Sequence, residues 1–204
     1  MSRATEDYIA AAALFVAFLA LGELVTRRPA LRVDAAALFH SHATPVARFF
    51  TFSGRWVFLT GALIIAACIY AVQHRSILIP VLILLSQMIT QGLAELFKAH
   101  YRRVRPDYWI LGLDPGKSYP SGHAVTATVF FGGWACVVAF SGLAIDVRAL
   151  LIGALIAWAV CVDWSRLALG AHYLTDIAGG TLLGSAWVFA AIGALHQFAP
   201  AHAP

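Results

Sequence analysis

Six long apolar segments divide this chain of 204 residues, and they constrain its fold more than any other feature. The segments are Tyr8 to Val25, Trp56 to Val72, Ser76 to Phe97, Gly122 to Phe140, Ala149 to about Leu169, and Leu174 to about Leu195. A helix needs about 20 predominantly apolar residues to cross a bilayer. The fifth segment reaches that length only by including Asp163 and Arg166. The sequence therefore predicts an all-α fold, a polytopic bundle of six transmembrane helices.

The composition supports lipid as the solvent of this chain. It is 61% hydrophobic and 12% charged, with a mean hydropathy of +0.79, whereas soluble domains are about half apolar and about a quarter charged. We predict a single integral-membrane domain over residues 1–204. The basic residues are interrupted by apolar segments instead of forming one stripe, which argues against nucleic acid as a partner. The sequence does not indicate an oligomeric state.

Almost all polar residues lie in three loops. Six spans place both termini on one side of the membrane, so the loops at residues 26–55, 98–121 and 165–173 share the opposite side. The fifth segment also brings charged groups to its end, and ionisable residues near a membrane span are functional candidates. We therefore expect an active site at the membrane-water interface on the side of these three loops.

The second of these loops begins with the basic stretch KAHYRRVRP. Lys98 and Arg105 are two helical turns apart and would share one face if the third helix continues. Pro106 disfavours helix at Arg105, so we expect the helix to end near there. Two cations at a helix end can clamp a phosphate, although basic residues are also ordinary at a membrane surface. Arg102 and Arg103 receive no role beyond contact with lipid headgroups.

The stretch SYPSGHAV opens the fourth apolar segment with small and polar residues. Ser121 is a favoured helix N-cap, and Gly122 lets a ligand approach the backbone. The first amides of a helix lack partners within the helix and carry partial positive charge, so they bind anions, phosphates in particular. His123 would stand in the first turn beside a bound anion. Simple capping with an interfacial histidine is the alternative.

The stretch SRLALGAHYLTD supplies a third group of candidates. His172 and Asp176 are four residues apart, so their side chains would meet on a helix. A carboxylate that accepts a proton from one imidazole nitrogen fixes the tautomer and leaves the other nitrogen free to attack. Arg166 adds a guanidinium beside this pair. The spacing favours nucleophilic chemistry.

A metal site is the rival explanation, since His123, His172 and Asp176 could supply three ligands. Lys98, Arg105 and Arg166 would crowd the same space with positive charge, and that many cations require an anion instead of a divalent metal. We therefore expect no metal and no cofactor.

Together these residues resemble the three-part signature of the type-2 phosphatidic-acid phosphatase superfamily. The first part is lysine, six residues, then Arg-Pro, which matches Lys98 to Pro106. The second is Pro-Ser-Gly-His, which matches Pro120 to His123. The third is Ser-Arg, five residues, His, three residues, Asp, which matches Ser165 to Asp176. All three parts occur in order at the spacing of the family.

The resemblance implies a metal-independent membrane phosphatase that hydrolyses lipid phosphate monoesters or diphosphates through a phosphohistidine. Candidate substrate classes are phosphatidic acid, phosphatidylglycerophosphate, undecaprenyl diphosphate and lipid A phosphates. It implies that His172 is the nucleophile, that Asp176 orients it and that His123 protonates the leaving oxygen. The implied phosphate ligands are Lys98, Arg105, Ser121, Gly122 and Arg166. The alternatives are a lipid phosphotransferase using the same phosphohistidine, a non-catalytic phospholipid carrier, and a structural membrane subunit.

The resemblance and the charge distribution disagree about the side of the membrane. Bacterial members of the family imply a multi-pass protein of the inner membrane with the active site on the periplasmic face. However, eleven of the 14 Lys and Arg residues lie on the site side, and only Arg3, Arg75 and Arg148 lie on the other. Basic residues prefer cytoplasmic loops. We retain the periplasmic face as the prediction because the resemblance bears on function directly.

Overall fold

The computed structural model describes residues 1–28, 31–37, 44–73, 77–106 and 116–198, which form eight helices and no strand. The helices are α1 (Arg3–Arg27), α2 (Arg32–Ala37), α3 (Pro45–Ser53), α4 (Trp56–Val72), α5 (Leu78–Tyr101), α6 (Gly122–Ala139), α7 (Ile145–Ala168) and α8 (Leu174–Phe198). The predicted all-α fold is confirmed.

The six predicted segments correspond to α1, α4, α5, α6, α7 and α8. Five of these helices are long and apolar enough to cross a membrane. The exception is α4, which has 17 residues and qualifies only together with α3, to which it is joined at a bend of 55°. Arg75 and the predicted first residue of the third segment, Ser76, lie outside the described residues. That residues 1–204 form one domain remains a prediction.

Local sequence sets the helix ends near the polar loops. Thr44 caps α3 by accepting a hydrogen bond from the Ala47 amide, and Pro45 follows at the first helical position, where its missing N–H costs nothing. At the C-terminal end of α5, Arg102 adopts a left-handed conformation with φ of 50°, and its amide donates to the Lys98 carbonyl. This left-handed residue ends α5 before the chain reaches Arg105.

Small residues let α6 and α8 pack closely in the bundle. A Cβ atom on Gly180 would lie 2.6 Å from the Ser121 carbonyl oxygen, and one on Gly184 would lie 2.8 Å from the Thr128 Cβ. Gly180 and Gly184 therefore let α8 approach α6 closely, as small residues do at helix contacts in membranes. In addition, α8 packs along α1, and α6 packs against α5 and α7.

Aromatic residues fix the chain where α5 leaves the bundle and α6 enters it. Tyr119 stacks on Phe18 with ring centroids 5.6 Å apart, and its hydroxyl donates to the Phe18 carbonyl at 2.7 Å. Tyr101 meets Tyr119 edge to face at 5.1 Å. A Cβ on Gly179 would lie 2.4 Å from the Tyr119 ring, so only glycine fits there. These contacts hold the segment before Ser121 against α1 and α8.

Candidate active site

A cavity of about 430 Å³ brings together residues from all three signature stretches. Six of the predicted site residues line it, and Ser121 and Asp176 lie buried directly behind them. The lining residues are Thr51, Gly54, Arg55, Trp56, Val57, Gln91, Glu95, Lys98, Arg105, Gly122, His123, Thr126, Arg166 and His172. Segments distant in sequence thus converge on one space at the end of the bundle.

The N-terminus of α6 has the predicted capping arrangement. The Ser121 Oγ accepts a hydrogen bond from the Ala124 amide at 3.4 Å, and the Ser121 amide donates to the Asp176 carbonyl at 3.0 Å. A Cβ on Gly122 would lie 3.3 Å from Lys98 Nζ, so the glycine leaves room for the lysine beside the first turn. Gly122 and His123 thus line the cavity at the N-terminus of α6, beside the Lys98 ammonium, and a helix N-terminus favours an anion.

Lys98 reaches this position from the last turn of α5. Its ammonium donates to Glu95 Oε1 at 2.7 Å, and Gln91 donates to the same oxygen at 3.2 Å. The Lys98 side chain is 14% exposed, whereas Glu95 is 58% exposed. The Glu95 carboxylate is thus bonded to the ammonium group that a bound anion would contact. Glu95 lies at the solvent-exposed edge of the cavity.

Arg105 is not on the helical face of Lys98, because α5 ends at Tyr101. The helix ends before Arg105, in line with the expected effect of Pro106, and both cations still line the same cavity. The loop holds Arg105 through its own hydrogen bonds: Nε donates to the Gly116 carbonyl at 3.0 Å and Nη1 to the Ala171 carbonyl at 2.9 Å. The same Nη1 lies 3.2 Å from His172 Nε2. Since guanidinium can only donate, Nε2 is the acceptor and carries no proton.

His172 lies in the turn before α8 and is 2% exposed. Its Nδ1 is 3.6 Å from Asp176 Oδ2, so the predicted pair is close, although His172 precedes the helix. Burial lowers the pKa of the His172 imidazole well below its usual value, and the charges of Arg166, Arg105 and Lys98 lower this pKa further. The ring is therefore neutral at pH 7, with an unprotonated Nε2 facing the cations of the cavity.

Arg166 is positioned by a residue that the sequence did not single out. It is 4% exposed, and its Nη1 donates to Thr51 Oγ1 at 3.0 Å. Thr51 Oγ1 lies 2.7 Å from Ser165 Oγ, which in turn donates to the Val162 carbonyl at 2.6 Å. This chain of hydrogen bonds connects α3 to α7 and fixes the guanidinium.

The main chain at Thr51 also fixes His123. The His123 Nε2 lies 3.2 Å from the Thr51 carbonyl oxygen, which can only accept, so Nε2 carries a hydrogen. Nδ1 is then the nitrogen of His123 whose protonation can change. His123 stands in the first turn of α6, as predicted.

Arg103 is buried, and the interpretation of Arg103 as a headgroup contact is wrong. Its exposure is 5%, and it forms ion pairs with Asp34 at 2.8 Å and Asp176 at 2.6 Å. Neighbouring Arg102, in contrast, is exposed and donates to the Ala99 carbonyl. One signal for Asp34 was available, because it is the only carboxylate between residues 28 and 55.

A metal site formed by His123, His172 and Asp176 is the alternative to an anion site. Within the described ranges, no group of three His, Cys, Asp or Glu side chains is placed to share a metal ion. The Asp176 oxygens are instead occupied by Arg103 Nη1 and by the Tyr173 amide, which donates to Oδ2 at 2.9 Å. The donor set around His172 therefore suits an anion.

The fold and the site define a multi-pass helical membrane protein with a cavity lined by three cationic side chains at one end of its bundle. The family model of the PAP2 superfamily matches residues 77–199, and the chain belongs to that superfamily. The match includes all three signature stretches. The family resemblance drawn from the sequence is thereby confirmed.

Two curated relatives and one solved structure place the chain more closely. It is 32% identical over 125 residues to a lipid A 1-phosphatase of Rhizobium johnstonii, covering 53% of this chain and 47% of that protein. It is 31% identical over 124 residues to a lipid A 1-phosphatase of Rhizobium etli, covering 53% and 49%. The chain thus spans about half the length of the curated relatives it matches.

The solved structure is similar over nearly its whole length. A transmembrane PAP2-type phosphatidylglycerolphosphate phosphatase from Bacillus subtilis superposes with a TM-score of 0.78 at 25% sequence identity. The match covers 92% of this chain and 96% of the other. The similarity therefore extends to helices outside the signature stretches.

Proposed function

We propose that this protein is an integral-membrane lipid phosphate phosphatase. One observation carries the proposal: a single cavity surrounds an unprotonated, buried His172 Nε2 with Lys98, Arg105 and Arg166 and with the N-terminus of α6. Phosphoryl transfer depends mainly on positioning and on stabilising charge, and these groups provide both. The names of the matched relatives, two lipid A 1-phosphatases and a phosphatidylglycerolphosphate phosphatase, support the same activity.

In the proposed first step, His172 Nε2 attacks phosphorus while the bond from phosphorus to the lipid oxygen breaks. Arg105 releases its hydrogen bond to Nε2 and keeps its contact with a phosphoryl oxygen. Lys98, Arg166 and the amides beside Ser121 and Gly122 hold the other oxygens. His123 Nδ1 gives its proton to the departing oxygen, so that the lipid leaves as an alcohol from a phosphate monoester or as a lipid monophosphate from a diphosphate.

In the second step, water attacks the phosphohistidine. His123 Nδ1, now unprotonated, accepts a proton from that water, and inorganic phosphate leaves His172. The Asp176 carboxylate stabilises the positive charge that the imidazole carries while it is bonded to phosphorus. His123 ends the cycle protonated, as it began, so protons balance over the two steps.

The proposed chemistry has a defined pH dependence. His172 must be neutral and His123 protonated, so kcat/KM is expected to be bell-shaped. Because the pKa of His172 is lowered, its neutral form persists into acid, and the acid limb is expected below about pH 6.5, the value of an unperturbed imidazole. Initial rates in a constant-ionic-strength buffer series measure this limb. An acid limb above pH 7 would contradict the assignment.

The substrate is one of several phosphorylated lipids. The names of the relatives point to lipid A and to phosphatidylglycerolphosphate, and the signature also fits phosphatidic acid and undecaprenyl diphosphate. The purified protein in detergent is assayed for phosphate release from each of the four, in the presence of EDTA. Release in EDTA from any of them supports the proposal.

The same assay separates the alternatives. Binding without release from any of the four lipids would indicate a carrier. Release that EDTA abolishes and Mg²⁺ restores would overturn the metal-independent mechanism. A phosphotransferase would label an acceptor lipid when the substrate carries ³²P.

We propose that the protein lies in a bacterial inner membrane with its site on the periplasmic face. Part of the opposing basic charge is accounted for by its contacts, because Arg103 and Arg166 are buried. A test uses a variant in which Cys68, Cys136 and Cys161 are replaced by alanine. Lys117→Cys reports the site side and Gly142→Cys the other, both at exposed positions. Labelling of Lys117→Cys alone by an impermeant maleimide on intact spheroplasts supports the periplasmic face; labelling of Gly142→Cys alone reverses it.

A further inference from the structure

A buried ion-pair network lies behind the proposed nucleophile and involves two residues outside the signature. Asp34, on the short helix α2, is 1% exposed. Its Oδ2 accepts a hydrogen bond from Arg103 Nη2 at 2.8 Å, and its Oδ1 accepts from the Thr175 amide at 3.0 Å. The loop after the first span is thereby fastened to the first turn of α8.

Arg103 connects this carboxylate to Asp176. Its Nη1 donates to Asp176 Oδ1 at 2.6 Å, while its Nη2 is bonded to Asp34, so the planar guanidinium spans two carboxylates. The Tyr173 ring covers the guanidinium, with its centroid 4.2 Å from Arg103 Cζ. The Arg103 and Asp176 side chains are 3% and 0% exposed, so the geometry is fixed by packing as well as by charge.

The charge of this network explains why two carboxylates are needed. Two carboxylates and one guanidinium leave one net negative charge, and Asp176 Oδ2 presents it at 3.6 Å from His172 Nδ1. Without Asp34, the pair of Arg103 and Asp176 would be neutral and would stabilise a positively charged imidazole far less. A buried carboxylate without a cation would also be costly, so Arg103 is required in turn.

We propose that Asp34 and Arg103 are positioning residues for the phosphoryl-transfer step. Arg103 holds Asp176 in place, and Asp34 offsets the charge of Arg103 so that Asp176 acts on His172 as a full carboxylate. This inference rests on the proposed function. It assigns a role in the reaction to α2, which is about 140 residues from the nucleophile along the chain.

Asp34→Asn is the sharpest test, because asparagine keeps the size of the side chain and an oxygen for the Thr175 amide. With the panel substrate that the wild type hydrolyses fastest, kcat is expected to fall about 10- to 100-fold, the usual cost of losing a supporting contact, with KM changed less than twofold. Asp146→Asn, an exposed aspartate in the first turn of α7, is the matched control and is expected to behave as wild type.

The acid limb of kcat/KM separates a role in the reaction from a purely structural one. Loss of the Asp34 charge is expected to move this limb to lower pH, because less negative charge stabilises protonated His172. The other charged or titratable groups around His172 are unchanged in the variant; they are Lys98 on α5, Arg105 in the loop, His123 on α6, Arg166 on α7 and Asp176 on α8. In Asp34→Asn with Arg103→Gln, the network again has one net negative charge, and the limb is expected to return toward wild type.

Several outcomes would overturn the inference. A lower Tm for Asp34→Asn with unchanged kcat and acid limb would mean that Asp34 only caps α8. If Asp34→Asn does not fold, Arg103→Lys supplies the readout: it keeps the charge but cannot span both carboxylates, so its kcat must fall at least tenfold for the inference to stand. The proposed function fails separately, when wild type releases no phosphate or His172→Ala remains active.

Discussion

The two ends of the helical bundle differ in whether their charged side chains are buried. At the site end, the buried Asp and Arg residues are Asp34, Arg103, Arg166 and Asp176, each below 6% exposed, and within the described chain no such residue is buried at the far end. There, the Asp7–His196 pair is closed at 2.7 Å with side chains 17% and 15% exposed. Arg148 on α7 donates a hydrogen bond to the Ala139 carbonyl at 2.8 Å.

This difference in buried charge indicates how the site end is arranged. Burying a charge costs several kcal/mol unless a partner offsets it. Asp34, Arg103 and Asp176 satisfy one another, whereas Lys98, Arg105 and Arg166 gather around a cavity whose only lining carboxylate among the described residues is Glu95. An anion entering that cavity adds a counter-charge for the three cations. At the far end, the partly exposed Asp7 and His196 side chains pair with each other.

The comparison predicts that histidine is indispensable at one end and dispensable at the other. His172→Ala and His123→Ala are each expected to abolish phosphate release, because nucleophile and acid are lost. His196→Ala, which breaks only the Asp7 contact, is expected to keep wild-type kcat. Turnover of purified protein and its Tm are measured together, so that loss of fold is distinguished from loss of chemistry. Full activity in folded His172→Ala would remove the mechanism.

Arginine provides the next test of the same contrast. Arg166→Lys cannot keep both the Thr51 hydrogen bond and the fork toward phosphate, and loss of a preorganised donor costs about 10²–10³-fold in kcat. Arg148→Lys at the far end is expected to change kcat less than twofold. Equal losses in the two variants would show that the site end is not specialised.

Much of this site was predicted from the sequence, because the spacing of residues within each signature stretch indicates which side chains lie close together. The cap at Ser121 and the nearness of His172 to Asp176 depend on local contacts, which short stretches encode. The same is true of the apolar segments, whose length alone predicted the helices. Such features were confirmed because they do not require knowledge of how distant segments pack.

The features that the sequence did not reveal depend on long-range geometry. Arg103 is chemically identical to its neighbour Arg102, so the sequence does not show that Arg103 is buried and Arg102 exposed. Its partner Asp34 is 69 residues away, and Thr51 is 115 residues from the arginine it holds. No periodic pattern connects residues at those separations. The bend between α3 and α4 is likewise a packing result.

Glycine at the start of α6 offers a smaller perturbation of the site end. A methyl group on Gly122 would lie 3.3 Å from Lys98 Nζ, which can move aside because its side chain is flexible. The fold is therefore expected to survive Gly122→Ala, while displaced cation and phosphate lower kcat/KM about 10- to 100-fold. Gly132→Ala on the same helix meets open space and is the control. Unchanged kcat/KM in Gly122→Ala would place the phosphate elsewhere.

Replacing Glu95 is expected to have the smallest effect of these substitutions, and it tests how charge is arranged at the edge of the cavity. The Glu95 side chain is 58% exposed in its ion pair with Lys98. Exposed ion pairs contribute about 0.2–1 kcal/mol of interaction free energy. If Glu95 competes with phosphate for the ammonium, Glu95→Gln lowers the Ki of inorganic phosphate by up to about fivefold, the equivalent of that energy. Glu23→Gln, which removes an exposed pair with Arg27 outside the cavity, leaves this Ki unchanged. A weaker Ki in Glu95→Gln would show instead that the carboxylate holds Lys98 ready for the anion. In that case Glu95 would not compete with phosphate. It would hold Lys98 in position, as the buried network behind His172 holds Asp176.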